Sequence, residues 1–321
     1  MKRFLITISF LITVLCPLLS QAQVTFRMLE GVSNTELKVK VESNVSRLLS
    51  EINRASYRNE QLNLAGVQIE KKASERLRNL WHNMPFCCEW KNNVQSCVQD
   101  YTGYEFRQIP VVLKPFGDTY KGELHKELTI SFNRQGVITG VRTSIDNNSY
   151  LALLSGGKAN SDMRMRREIL KYLEDYRSYY TEKNLNAIAN MLGFCSFDVK
   201  KSLGVNSDTS VRVSLKKNEC SVKDKQGYLG NLNKHFQQNG CVVAKISDIG
   251  LMRHGWNPFF YGVSFRLQLY RGDEELQNAT GGYYFLLWDF TEEANPKIHF
   301  NLLFSKKDEC LSPEDFFIPY N

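Results

Sequence analysis

The chain has 321 residues, of which 42% are hydrophobic, and its 41 basic and 34 acidic side chains give a formal net charge of +7. The net charge is small, and basic and acidic residues are interspersed along the chain. This argues against a nucleic-acid-binding protein, which needs a wide basic face. The tight basic cluster MRMRR (163–167) is better explained as the solvated start of a helix. A chain of this length is too long for one small core and suits two domains.

The N-terminus has the pattern of a secretory signal peptide. A basic start, MKR, precedes an apolar run over 4–19, and Ser20-Gln21-Ala22 has the small-x-small pattern of a signal-peptidase site. We therefore predict export to the periplasm, the cell envelope or the extracellular space, with a mature chain that starts at Gln23. No later stretch has 18 or more apolar residues, so the sequence predicts no membrane span.

The cysteines predict neither a metal site nor a redox motif. Seven remain after the signal peptide, none in a Cys-x-x-Cys spacing, and the five histidines of the chain are scattered. An odd number leaves at least one free or intermolecular thiol in an oxidising compartment, and the disulfide pairing stays open. The glycines of SGGKANS (155–161) lack the order of a phosphate-binding loop, so no cofactor is predicted.

The first half of the mature chain predicts two helices followed by an antiparallel sheet. Ser33-x-x-Glu36 resembles a capping box and precedes apolar residues at helical spacing, which predicts a helix over 34–58, and a second helix is expected over 72–83. Apolar residues then recur at every second position, which predicts β-strands in SCVQDY, YEFRQIPVVLKP, ELTISFN and VITGVRTSI. Asn133 to Gly136 is a hairpin turn.

The second half repeats this order after a small, polar stretch over 153–162, where we place the domain boundary: 1–22 is the signal peptide, 23–156 the first domain and 157–321 the second. Asp162 is expected to cap a long helix and Asn184 a short one, with a third helix over 223–237. Four strands follow, around CVVAKISDIGLMRH, FFYGVSFRLQLYRG, TGGYYFLLWDF and PKIHFNLLFSK. Helices followed by a strand meander is an α+β plan.

Four segments carry a resemblance to a known superfamily: YEFRQIPV (104–111), SFNRQGVIT (131–139), RREILKYLEDYRSYYTEKNL (166–185) and LLWDFTEEANPKIH (286–299). Through them the chain resembles secreted Bacteroidetes-type proteins of the nuclear transport factor 2-like superfamily. The resemblance implies two units, each with helices packed in the concave face of a curved antiparallel sheet. The stretch GFCSFDVKKSLGV (193–205) departs from the family, because an acidic pair and an apolar strand are usual there.

The strand GGYYFLLWDF (281–290) carries aromatic side chains on both faces. Alternation places Tyr284, Leu286, Trp288 and Phe290 on one side and Tyr283, Phe285, Leu287 and Asp289 on the other. In a conical fold one face meets the filling helices and the other meets a neighbouring domain or subunit. The surplus aromatics therefore predict an interface, with a homodimer through the C-terminal sheet as one form of it.

Some relatives in this superfamily are isomerases or dehydratases that use an Asp or His at the mouth of the cone for proton transfer. The resemblance makes Asp289, His299, His254 and Tyr176 the candidate catalytic residues. Lys297, His299 and Asn301 would share a face that forms a polar pocket if it meets Arg266. The alternative is that His299 and Asn301 lie on the solvated side of the sheet and that Asp289 caps a turn, and the sequence favours this alternative.

These observations favour a binding or assembly module over an enzyme. The predicted ligand-binding residues are Tyr180, Trp288, Tyr284, Arg266 and Asn301, and the predicted partner is a protein or a small apolar ligand. The alternative function is a small-molecule lyase or isomerase with acid–base residues in the C-terminal pocket. A further alternative is a structural protein whose pockets are filled by core side chains.

Overall fold

The computed structural model describes residues 23–94, 97–99, 102–115, 122, 124–157, 160–192, 225–238, 242–255, 257–270, 280–292, 296–304 and 306–307. The protein is α+β, and its contacts divide the chain into two compact units that meet in sequence between Ser144 and Ile145. This point lies before the boundary expected from composition. The predicted signal peptide lies outside the described residues, and no helix among those residues is long and apolar enough to cross a membrane.

Within the described residues, the first unit has two helices and two sheets. Its elements are β1 (Thr25–Met28), α1 (Thr35–Arg58), α2 (Lys71–Asn83), β2 (Phe86–Cys88), β3 (Lys91–Val94), β4 (Cys97–Gln99), β5 (Gly103–Leu113), β6 (His125–Asn133) and β7 (Ile138–Thr143). β2, β5, β6 and β7 form an antiparallel sheet in that order, and β4 also pairs with β5. β1 pairs in parallel with β3.

Apolar spacing places α1 against the core. Val41, Val45, Leu48 and Ile52 are buried along one face of this helix. Asn34, rather than the predicted Ser33, caps it, because the Asn34 side chain accepts a hydrogen bond from the backbone N–H of Leu37 at 2.9 Å. Either residue type suits an N-cap, so the sequence could not separate two neighbours.

One face of the first sheet holds buried charges. A carboxylate oxygen of Glu105 accepts a hydrogen bond from Arg107 Nη1 at 3.0 Å, and its other oxygen pairs with Arg142. Burial opposes ionisation of Glu105, but the two guanidinium groups outweigh it and hold the pKa of this carboxyl below its ordinary value. A β-bulge lies beside this cluster, where Gln108 adopts φ 65° between Phe106 and Ile109.

The second unit contains α3 (Asn147–Ser155), α4 (Asn160–Thr181), α5 (Leu185–Met191), α6 (Lys225–Gln238), β8 (Val243–Arg253), β9 (Phe260–Tyr270), β10 (Thr280–Asp289) and β11 (Lys297–Phe304). The strands form one antiparallel sheet in the order β11-β10-β9-β8. The buried face of α4, including Ile169, Leu173 and Tyr176, packs with the inner face of this sheet in one hydrophobic core.

Two helix starts differ from expectation. Helix α3 was not predicted, and Asp146 caps it by accepting a hydrogen bond from Ser149 N–H at 3.0 Å. Asp162 lies inside the first turn of α4 and is not its cap. Its carboxylate accepts hydrogen bonds from Tyr261 Oη at 2.7 Å and Arg166 Nε at 3.2 Å. The predicted cap at Asn184 is present on α5.

The sheet of the second unit is bent by bulges. Asp248 adopts φ 52° where the pairing of β8 with β9 shifts register. Gly262 is required on β9 because a Cβ there would lie 2.8 Å from the Phe285 ring. Both faces of β10 are buried, since Phe285 and Leu287 on one face are as inaccessible as Leu286 on the other.

Candidate functional site

Three phenol groups meet in the interior of the second unit. Tyr176 and Tyr180 lie one turn apart on α4, and their hydroxyl oxygens are 3.1 Å apart. Tyr228 of α6 places its hydroxyl 2.8 Å from that of Tyr176 and also bonds Tyr180. We call these residues, together with the neighbouring Tyr284 on β10, the phenol cluster. Tyr176 and Tyr180 are buried, whereas Tyr228 and Tyr284 are half-buried.

The environment raises the pKa of two members of the phenol cluster, Tyr180 and Tyr284. Burial, followed by the proximity of Tyr176, Tyr228 and Tyr284, raises the pKa of Tyr180 well above its ordinary value. Burial likewise raises the pKa of Tyr284. Neutral phenols are both donors and acceptors, so they can satisfy one another without an external ligand.

Aromatic rings extend the phenol cluster along the sheet. The Phe265 ring stacks on Tyr284 with centroids 5.6 Å apart, and Trp288 contacts Tyr172 with centroids 5.0 Å apart. The buried indole Nε1 of Trp288 has no hydrogen-bond partner within the described part of the chain. The candidate catalytic residue Tyr176 and the candidate ligand-binding residues Tyr180, Tyr284 and Trp288 lie in or against one hydrophobic core. The hydroxyls of Tyr176 and Tyr180 are hydrogen-bonded to each other.

Two of the predicted proton-transfer residues stabilise turns. His254 Nδ1 accepts a hydrogen bond from Asn257 N–H at 3.0 Å in the turn between β8 and β9. Burial lowers the pKa of His254, which favours the neutral imidazole that this bond requires. Asp289 accepts a hydrogen bond from Thr291 N–H at 2.7 Å just after β10. In both cases an acceptor atom of the side chain is bonded to a backbone N–H group.

One predicted ligand-binding residue, Arg266, does not join the phenol cluster. Arg266 lies opposite Tyr283 on the other face of the sheet, with its guanidinium carbon 5.7 Å from that ring centroid. The side chains of His299 and Asn301 lie outside the described residues. Asn301 pairs with Leu286 of β10. His299 falls where the pairing of β10 with β11 shifts register, and this shift interrupts the strict alternation predicted from Lys297 onward.

The first unit contains a second candidate site, at the contact of β1 with α1. The backbone N–H groups of Val24, Phe26 and Met28 donate to Ser50 Oγ, Ser46 Oγ and Glu42 Oε1 at 2.7, 3.0 and 2.8 Å. Two strand residues span roughly 6.6 Å and four helical residues about 6 Å, so alternate strand amides match side chains one helical turn apart. Three side chains of α1 therefore replace a neighbouring strand.

An open groove of about 530 Å³ runs along this contact, between Gln23–Arg27 and the α1 residues Val39, Ser43, Ser46, Arg47 and Ser50. A second groove of about 440 Å³ shares Gln23, Arg47 and Ser50 and reaches Arg54. We call the two together the α1 groove. Its lining is polar, unlike the apolar ligand cavity expected in the second unit.

The charges of the α1 groove are paired except at one position. Arg27 pairs with Glu42 at 3.1 Å, and Arg54 pairs with Glu51 at 2.7 Å. Arg47 donates from Nη1 to the carbonyl oxygen of Gly66 at 2.6 Å and makes no ion pair with any described residue. The groove therefore presents a positive charge among serine hydroxyls.

Sequence reasoning missed Tyr228 and the α1 groove. Tyr228 comes from a helix far along the chain from Tyr176, and nothing local to it signals the contact. The spacing of Glu42, Ser46 and Ser50 places three oxygen acceptors on one helical face, which is the signal that could have been used. No family model matches the chain, and no curated protein matches it.

Proposed function

We propose that the protein is an exported binding module that recognises a protein partner in the cell envelope or outside it. In this proposal its two α+β units belong to the nuclear transport factor 2-like superfamily. The observation that carries this proposal is the commitment of His254 and Asp289 to turns. A general base must reach the proton that it removes, and an acceptor already bonded to the backbone is poorly placed to do so.

The start of the fold supports export. Val24 is buried, its N–H is bonded to Ser50, and β1 begins at Thr25. Cleavage after Ala22 would leave this contact intact, so the mature chain would keep every hydrogen bond of β1 described above.

Burial also restricts how a partner could bind. Phe285 and Leu287 are covered within a single chain, so a homodimer through the C-terminal sheet would have to use other residues. The polar lining of the α1 groove favours a protein segment over a small apolar ligand.

The test is recovery of the protein from its host envelope, followed by native mass spectrometry and sequencing of its N-terminus. We expect a chain that begins at Gln23 and a co-purifying partner that is retained by Asp289→Asn, because this variant changes only a turn. A cytoplasmic chain with an intact N-terminus would overturn export. A folded Asp289→Asn protein that loses a measurable turnover would overturn the binding module.

The phenol cluster supports one competing function. Phenols that stay protonated can donate hydrogen bonds to an oxyanion, as a lyase or isomerase acting next to a carbonyl requires. A screen for deuterium exchange into small ketones would reveal such an enzyme. In that case Tyr176→Phe should lower the exchange rate while the thermal melt shows an intact fold.

A further inference from the structure

The α1 groove has the dimensions of a peptide site. From Val39 to Arg54 the lining follows α1 over 15 residue-to-residue steps, or about 22 Å at 1.5 Å per step. An extended peptide of roughly seven residues covers the same distance at about 3.3 Å per residue. A single small ion would leave most of this length empty.

The charge of the α1 groove selects for acidic ligands. Its five charged residues are Arg27, Glu42, Arg47, Glu51 and Arg54, which give a formal net charge of +1. The two glutamates are each engaged by an arginine, and Arg47 keeps unused guanidinium donors beside its bond to Gly66. A guanidinium with free donors is well suited to a carboxylate.

Other groups in the groove complement an acidic peptide. Ser46 Oγ accepts the N–H of Phe26, so its hydroxyl hydrogen remains available to donate. Ser43 is exposed one turn before Arg47, and Val39 is 59% exposed, which provides an apolar contact beside the charge. The groove thus offers hydroxyl, cationic and apolar contacts in sequence along one helix.

We propose that the α1 groove binds an extended acidic peptide segment of a protein partner, with one carboxylate of the peptide on Arg47. This inference rests on the proposed function as a binding module and names the chemistry of its partner. Cleavage before Gln23 would add a positive α-ammonium group at a residue that lines both parts of the groove, and so would raise its formal charge to +2.

Fluorescence anisotropy with a fluorescein-labelled heptaglutamate tests the proposal, and heptaglutamine is the uncharged control peptide. We expect heptaglutamate to bind more weakly as salt concentration rises, and heptaglutamine not to bind. Arg47→Gln should weaken heptaglutamate binding about tenfold, and Arg47→Lys less, because lysine keeps the charge without the planar fork. Arg58→Gln is the matched control, since Arg58 is exposed on the same helix but lines neither part of the groove.

Ser43→Glu provides a second variant that does not depend on removing Arg47. Ser43 is exposed, so the substitution should leave the fold intact while placing a negative charge in the groove. We expect it to abolish heptaglutamate binding. Equal binding of heptaglutamine, or equal affinities of Arg47→Gln and Arg58→Gln, would overturn the proposal.

Recovery from the host envelope separates this inference from the proposed function. If Arg47→Gln and Ser43→Glu both retain the co-purifying partner, then the protein is a binding module that uses another surface. If the wild-type protein binds heptaglutamate but no partner co-purifies, the specificity of the groove for acidic peptides stands, whereas the envelope partner of the proposed function is contradicted.

Discussion

The long helices of the two units use their polar side chains in opposite ways. Helix α1 has 24 residues and α4 has 22, and each buries an apolar face against its own unit. On α1, Glu42, Ser46 and Ser50 accept hydrogen bonds from a strand that lies along the helix. On α4, Tyr176 and Tyr180 bond to each other and to Tyr228.

This difference shows what apolar patterning leaves undecided. Apolar residues at helical spacing determine which face of each helix packs against the core. The size of the polar side chains on the helix decides whether the space beside it is open or filled. Short hydroxyls reach only the nearest backbone and leave a groove, whereas phenols fill the volume between α4, α6 and the sheet. The same element can therefore border a binding surface or a closed core.

The largest effect should follow removal of the Trp288 side chain. Trp288 is 1% exposed and packs against Tyr172, so Trp288→Ala should cost roughly 3–5 kcal/mol in the free energy of unfolding, measured by chemical denaturation. Trp288→Phe is the matched control and should cost much less, because it keeps a ring and removes an indole N–H without a described partner. Equal losses in the two variants would show that this part of the second unit is not closely packed.

The contact of β1 with α1 provides the next test. Ser46→Ala would leave the buried N–H of Phe26 without its acceptor, which should cost about 1–3 kcal/mol in unfolding free energy. Hydrogen exchange at Phe26 should accelerate in the same variant. Ser43→Ala is the control, because Ser43 is exposed and a surface substitution changes stability by less than about 0.5 kcal/mol. If Ser46→Ala behaves like this control, the side-chain ladder does not hold β1.

Long periodic segments could be predicted from the sequence, whereas the four-residue β1 and the register shifts within strands could not. The spans of α1 and α2, the hairpin turn at Gly136 and the strands of the second unit agree with expectation. β1 was missed because its four residues are stabilised by side chains on α1, which local propensity does not record. The register shift at His299 in β11 was not predicted, because alternation of residue types does not reveal where a strand gains an extra residue.

For the candidate sites, sequence reasoning located residues but not their contacts. It grouped Arg266 with Tyr284 and Trp288, whereas β-sheet alternation places Arg266 on the opposite face, beside Tyr283. The Asp289 alternative, a turn cap, matches its hydrogen bond to Thr291. Roles that depend on the next few residues could be inferred, and those that depend on packing between distant segments could not.

Removing one hydroxyl from the phenol cluster should have a smaller effect. Tyr228→Phe deletes the hydroxyl that bonds Tyr176 and Tyr180, and should lower the unfolding free energy by about 1 kcal/mol. It should also reduce the upward shift in the pKa of Tyr180, since Tyr228 contributes to that shift. Alkaline titration followed by ultraviolet absorbance would measure this, with Tyr57→Phe as the control because Tyr57 is 90% exposed. If the pKa of Tyr180 is the same in Tyr228→Phe as in the wild type, the two hydroxyls do not interact.

The smallest effect should be the pH dependence of the turn at His254. Its folded-state pKa is lowered by burial, so the unfolded chain binds more protons and the stabilisation is present above the unfolded pKa of about 6.5. That stabilisation should be lost as pH falls through the folded pKa, because a protonated Nδ1 cannot accept the Asn257 N–H.

His254→Asn keeps a side-chain acceptor for the same turn and removes the titration. Denaturant unfolding at pH 7.5 and pH 5 should therefore show a larger loss in the wild type than in this variant, with a difference of at most about 1 kcal/mol. Equal losses would mean that His254 does not couple protonation to folding, and its bond to Asn257 would then contribute little to the stability of the second unit.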